Sequence, residues 1–416
     1  CSDGSAVFYN PAALATQRGV ASVGIEPLYA KGSFTFDGTG ESFDTRQGTK
    51  FAPHAWLAAQ LTPRISAGIG FWGPYGLTTV WPLDFEGRYI GYDNTLRAIY
   101  IQPTIAAELI PGRLALGVGV AAVRGSAQLR QRLDLARTTI PGTNLPFSVI
   151  GVPDGTDFAD VRLDADDWSA TFHIGVQFRP SDPWSFGARY LHAATLDLTG
   201  TADFRQVETG FLLPAGNPFG LPPGTPIDVL LAAQFEPGAP LSGQGLITEI
   251  TMPNQFVAGV RFQATPATRL FFDYQWTGWD RFDQAVLRFS IAPTDTLFFD
   301  FHNASTLRLA VEVAPRDELA IRGGILFNTA AAPAVTVIPL LPEAQRTSFA
   351  GGLGYHITER FSADVGLEVL LQKERRGRVR PRTSRDQTAA ELNVGRYSAH
   401  GVFGGITLSY FVGRER

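Results

Sequence analysis

Five arginines, Arg97, Arg189, Arg261, Arg308 and Arg322, fall on the polar phase of segments that otherwise alternate apolar and small residues. A guanidinium in such a position can hold a fatty carboxylate in a bidentate fork. The same phase carries Asp273, Glu312, Asp364 and Glu368, so pairing with these acids is the simpler reading of the arginines. Hydrolytic chemistry is poorly supported: His54, His173, His192, His302, His356 and His400 are scattered, and no Gly-x-Ser-x-Gly elbow occurs. Asp160, Asp164, Asp166 and Asp167 do not follow the spacing of a calcium loop, so neither metal nor cofactor is expected. The run Gly68-Ile69-Gly70-Phe71-Trp72-Gly73 has dinucleotide-loop spacing, yet Pro74 follows and no helix does.

The elements that must position these groups are strands. In Leu307-Arg308-Leu309-Ala310-Val311-Glu312-Val313 one face is oily and the other charged. A soluble sandwich would have to bury that second face, whereas a membrane β-barrel turns it toward a polar lumen. Charged residues make up only 18% of the 416, and no linker divides the chain, which reads as one continuous barrel behind a short leading segment. No run of eighteen apolar residues exists, which disfavours a helical membrane protein. The net charge of −4 gives no reason to expect nucleic acid. Cys1 is the sole cysteine and excludes internal disulfides; it reads as an arbitrary chain start rather than a lipidated residue. Met252 is the only methionine, which predicts a processed or truncated N-terminus.

Alternation places strands at about 19 to 36, 50 to 61, 64 to 73, 95 to 110, 113 to 130, 166 to 178, 184 to 204, 244 to 263, 269 to 290, 304 to 314, 319 to 329, 346 to 358, 360 to 376 and 390 to 412. This predicts an all-β membrane barrel of about 14 antiparallel strands. Tight turns such as Thr62-Pro63, Pro111-Gly112 and Thr358-Glu359 alternate with long segments such as 134 to 165 and 205 to 243. Short turns on the periplasmic side put both termini there and the long loops outside. Trp72, Tyr75, Trp81, Trp168, Trp184, Trp276 and Trp279, near strand ends, are candidate interfacial girdles.

Ala115, Gly117, Gly119 and Ala121 alternate with Leu114, Leu116, Val118, Val120 and Ala122, so tiny residues face inward and leave room inside. Residues 1–18 are the candidate hatch that fills it, before a barrel over 19–416. Asn10 is a good N-cap and Pro11 a good first helical residue, which predicts a short helix there. The gate would comprise Phe8, Tyr9, Asn10, Pro11 and Ala12. Gly68, Gly70, Gly73 and Pro74 weaken the third strand, a candidate lateral opening unless they simply pack against the hatch. In the long loops Phe147, Ile150, Phe211, Leu212, Leu213 and Phe219 could form a greasy ligand groove, or the two loops could pack on each other. The basic run Lys373, Arg375, Arg376, Arg378, Arg380, Arg382 and Arg385 falls in the last external loop, with lipopolysaccharide phosphate or plain solvent as its surroundings.

Ser5-Ala6-Val7-Phe8-Tyr9-Asn10-Pro11-Ala12-Ala13-Leu14 resembles the hatch motif of the FadL-like outer-membrane transporters of long-chain fatty acids and aromatic hydrocarbons. Pro253, Gly259, Tyr274-Gln275-Trp276-Thr277-Gly278-Trp279 and Phe282 resemble the family's mid-barrel tryptophan strand. Arg308, Arg322-Gly323-Gly324, Pro342, Arg346 and Gly352-Leu353-Gly354-Tyr355 follow in the family's order. The resemblance implies fourteen strands, an N-terminal hatch, hydrophobic external loops and passive exit through a gap at a kinked third strand. Two departures stand out: the chain begins just ahead of the Asn-Pro-Ala core, and Tyr410-Phe411 is followed by five more residues. The expected function is passive uptake of hydrophobic small molecules, long-chain fatty acids first, in the bacterial outer membrane. The expected surroundings are outer-membrane lipid and lipopolysaccharide, with other outer-membrane proteins as candidate associates and no nucleic acid. A structural or assembly barrel that does not conduct is the alternative.

Overall fold

The structure, a computed structural model, describes residues 3–412. Cys1, Ser2 and the last four residues lie outside them. Fourteen antiparallel strands close into one barrel. They are β1 (Gly19–Phe36), β2 (Ser42–Asp44 and Lys50–Thr62), β3 (Ile65–Val80), β4 (Asp93–Ile110), β5 (Leu114–Asp134), β6 (Asp157–Ser181) and β7 (Trp184–Leu191 and Ala194–Gln206). The second half comprises β8 (Gln244–Met252 and Gln255–Thr265), β9 (Thr268–Thr277 and Gln284–Phe289), β10 (Asp295–Phe298 and Ala304–Arg316), β11 (Leu319–Asn328), β12 (Arg346–His356), β13 (Phe361–Gly377) and β14 (Gly395–Val412). The seam is β1 on β14, in register from Gly19 opposite Val412 to Phe36 opposite Gly395. Among the described residues no helix is long and apolar enough to cross a membrane.

The expected alternation holds across the lipid-facing band. On β5 Leu116, Val118 and Val120 are exposed while Ala115, Gly117, Gly119 and Ala121 are buried inside. On β6 Phe172, Ile174 and Phe178 face out, with Trp168 above them and Trp184 of β7 near the short turns. Such a band is about 25 Å tall in barrels of this kind. Three of the expected girdle residues, Trp168, Trp184 and Trp276, take the outward phase. Trp72, Tyr75, Trp81 and Trp279 do not: they pack inside or in the mouth, because they have ring partners there that lipid cannot supply.

Above the band the polarity of the wall inverts. In β7 a break at His192-Ala193 shifts the phase, so Leu196 and Leu198 are fully buried inside while Thr195, Asp197 and Thr199 face outward. β6 begins at Asp157, well before the expected 166, and carries this inverted wall beyond the membrane. Arg97 belongs to it. Its strand is in unbroken phase with Ile101 and Ile105, which face out, whereas Tyr100, Gln102 and Thr104 face in. The expectation that Arg97 faces the lumen is therefore overturned, because a polar residue above the apolar band belongs on the outside.

Candidate lumenal site and mouth

A helical turn (Ala6–Tyr9) and a 3-10 helix (Pro11–Thr16) sit against the inner wall. Asn10 Oδ1 accepts from the Ala12 N–H at 3.1 Å, the expected cap, and Pro11 follows at the first helical position. Asn10 Nδ2 also donates to the Val176 carbonyl at 3.0 Å, and Gln102 Nε2 donates to that of Val7 at 2.8 Å. The small inward residues make this approach physically achievable: a Cβ on Gly117 would lie 2.2 Å from the Pro11 carbonyl carbon, and one on Gly175 2.2 Å from Asn10 Oδ1. Gly68 and Gly70 face Val7, and Gly68 also meets Leu14, so these two glycines serve close packing. Phe8 lies 5.2 Å from the ring of Trp72, the middle member of a stack that joins Trp56, Trp72 and Tyr100. Tyr9 is exposed to the lumen and Ala12 is buried.

The candidate carboxylate-binding arginines differ sharply in their surroundings. Arg322 is spoken for, 2.7 Å from Glu312 and 2.6 Å from Asp364, and Arg269 joins Glu312 at 2.8 Å. Arg308 bonds Gln275 Oε1 at 2.8 Å. Arg261 sits on the same inward phase with its Nε unpartnered. Arg189 is only 6% exposed, lies 4.9 Å over the Phe8 ring and donates to Gln255 Oε1 at 2.9 Å, and its Nη1 has no hydrogen-bond partner among the described residues. Tyr75, which donates to the Pro253 carbonyl and accepts from Gln255 Nε2 at 2.8 Å, completes this pocket. Gln102 and Gln255 were not singled out from sequence, and Tyr75 only as a girdle residue; the available signal was a polar residue on the inward phase of an apolar strand, as in Ile101-Gln102-Pro103.

On β3 the register slips between Trp72 and Tyr75, so Gly73-Pro74 form a bulge. The ladder between β2 and β3 runs only from Thr62–Ile65 to Ala55–Phe71, although both strands continue beyond it. Beside this interruption, on the outer face, lies an apolar depression of about 740 Å³ lined by Ala21, Val23, Ala55, Leu57, Ile69 and Phe71 among others.

At the mouth, the loops after β5 and β7 form a shared core. Phe147 and Leu213 are each 2% exposed within it, Phe147 stacks on Phe219 at 6.2 Å, and Ile150 and Phe211 pack at its edge. Phe147 and Leu213 are thus interior residues and not an open groove; the apolar groups that remain exposed are Leu212, Leu145, Val149 and Val229. Five of the seven residues of the basic run are paired with acids, whereas Lys373 is exposed with no acid partner among the described residues. Arg375 meets Glu343, Arg376 meets Asp37, Arg380 meets Glu86 and Asp134, Arg382 meets Asp300 and Arg385 meets Asp283. Arg378 is buried. One loop is stitched to acids from most of the others.

A closed barrel with an oily exterior, a polar lumen and both described ends at the short-turn side defines a β-barrel of the bacterial outer membrane. Residues 1–410 match the family described as outer membrane protein transport protein (OMPP1/FadL/TodX), and the chain belongs to that family. It is 21% identical over 432 residues to a putative outer membrane protein, NMB0088, of Neisseria meningitidis serogroup B, covering 98% of this chain and 89% of that one. The fold matches the crystal structure of a Pseudomonas aeruginosa FadL homologue with a TM-score of 0.80 at 20% identity, over 99% of this chain and 94% of that chain. It also matches the Pseudomonas putida toluene transporter TodX, with a TM-score of 0.73 at 14% identity over 100% and 95%.

Proposed function

We propose that the barrel takes up long-chain fatty acids passively, collecting them at Leu145, Val149, Leu212 and Val229, binding them beside Arg189 and releasing them sideways through the β2–β3 interruption. Residues 1–18 act as the hatch, with Phe8, Tyr9, Asn10, Pro11 and Ala12 as the gate. The observation that carries the fatty-acid reading is Arg189, a buried guanidinium with a free Nη1 and no acid bonded to it, adjoining the stack of Phe8, Trp72 and Tyr100. A carboxylate would satisfy that nitrogen while the aliphatic tail lies along the rings, each buried methylene contributing about 0.8 kcal/mol. Exit needs a shift in population of hatch positions and no energy input. The Gly73-Pro74 bulge and the neighbouring apolar depression support a route into the bilayer.

Aromatic hydrocarbons are the second reading, favoured by the stacked Trp56, Trp72 and Tyr100 rings and by the likeness to a barrel described as a toluene transporter. Mass spectrometry of lipid extracted from the purified barrel separates the two. Long-chain fatty acids recovered at about one per barrel support the proposal. A barrel that carries none, yet admits toluene into vesicles, refutes it.

A further inference from the structure

The outer wall above the membrane holds a polar groove of about 300 Å³. Two consecutive outward rows line it across β4, β5, β6 and β7. In register these are Arg97, Ser126, Asp166 and Thr199, then Thr95, Gln128, Asp164 and Thr201. The groove starts where the apolar band ends: Arg124, directly opposite Trp168, lies 5.5 Å over that ring and 2.8 Å from Asp166. Gly200 lies at its floor, where a Cβ would come 1.8 Å from the Asp164 carbonyl oxygen, so only glycine permits this strand approach.

We propose that this groove seats the phosphorylated sugar headgroup of the outer-leaflet glycolipid. Hydroxyls, an amide and carboxylates at the spacing of a pleated sheet suit the alternating donors and acceptors of a saccharide. Asp164 and Asp166 are each engaged by an arginine, Arg162 and Arg124, whereas Arg97 has no acidic partner among the described residues. Within the groove's lining that leaves one unneutralised guanidinium, to which a phosphate can bind as a bidentate acceptor. In the last loop Arg375, Arg376, Arg380, Arg382 and Arg385 are already engaged by acids of their own chain.

The test is native mass spectrometry of the full-length barrel in phospholipid nanodiscs, loaded with lipopolysaccharide or with the same lipid stripped of its phosphates. Arg97→Ala should cut retention of the intact lipid about tenfold, the size of one charge-assisted contact. Removal of the phosphates should do the same to the wild type, and Arg113→Ala, an equal charge change at a periplasmic turn, should do neither. Thr199→Val should weaken both lipids alike, which keeps a readout should Arg97→Ala fail to fold. Equal retention by wild type and Arg97→Ala overturns the proposal. So does loss on chelation of divalent cations to the same extent in both, since that assigns the lipid to a metal bridge through the aspartates.

Discussion

Gln102 Nε2 donates to the Val7 carbonyl at 2.8 Å, so one wall side chain fixes the segment that fills the lumen. The same nitrogen lies 2.9 Å from Thr104 Oγ1, which orients it. Gln102→Leu would leave a buried carbonyl unpaired at a cost of about 1 to 3 kcal/mol, without disturbing the strand ladder. The expected result is a folded barrel with more frequent opening events in planar-bilayer conductance. Unchanged gating would show that Gln102 does not hold the segment.

Lipid exposure of β5 gives a second check. Val118 lies between Leu116 and Val120 on the outward phase, near the middle of the apolar band. Val118→Arg should cost about 2 to 4 kcal/mol in folding into lipid vesicles, whereas Ser126→Arg, on the same face above the band, should cost about 1 kcal/mol or less. Denaturant titration in vesicles measures both, and equal costs would contradict the assigned membrane boundary.

Arg380 joins Glu86 at 2.5 Å and Asp134 at 2.9 Å, tying three loops together. Arg380→Ala would take the shorter of two arginine contacts from the almost fully enclosed Asp134 carboxylate, leaving it Arg137 at 3.6 Å and the Ala136 and Gly155 N–H groups, and should locally cost about 1.5 to 3 kcal/mol. Hydrogen exchange across 377–395 should accelerate by at least about tenfold. Acid should act in the same direction. The hydrogen bond from Arg137, at 2.9 Å, holds the neighbouring Asp154 carboxyl at about 2, with burial opposing and Arg380 assisting. A folded value below the usual one of about 3.9 contributes stability that is present above about pH 4 and is lost as pH falls through 2. Loop exchange that stays flat between pH 5 and pH 2 would rule this out.

The barrel was legible in the sequence because lipid and lumen impose opposite polarities on successive residues, so Leu116 to Ala122 declare their phase unaided. That signal is confined to the membrane. Arg97 was misplaced because a wall that leaves the bilayer exchanges its two polarities, and nothing in the local pattern marks the height at which this happens. Leu196 and Leu198 were hidden for a related reason: the break at His192-Ala193 reverses phase inside one apparent strand. The Asn10-Pro11 cap was readable as local backbone chemistry. The partners of Arg376, Arg380 and Arg382 were not, since Asp37, Glu86, Asp134 and Asp300 approach them only after the loops have folded over the mouth.

Arg189 allows the cargo to be decided by one substitution. Its unpartnered guanidinium nitrogen favours a carboxylate far more strongly than a neutral ligand, while the rings of Phe8, Trp72 and Tyr100 serve either kind of apolar ligand. Arg189→Met keeps most of the apolar stem over Phe8 and removes the charge. Fatty-acid flux into vesicles should fall about tenfold or more, the size of one desolvated ion pair, while toluene flux should stay within about twofold. If both fluxes fall together, Arg189 serves only to position Phe8 and the hatch. If neither falls, the carboxylate is held elsewhere, and Arg261, whose Nε is likewise unpartnered, is the next arginine to replace.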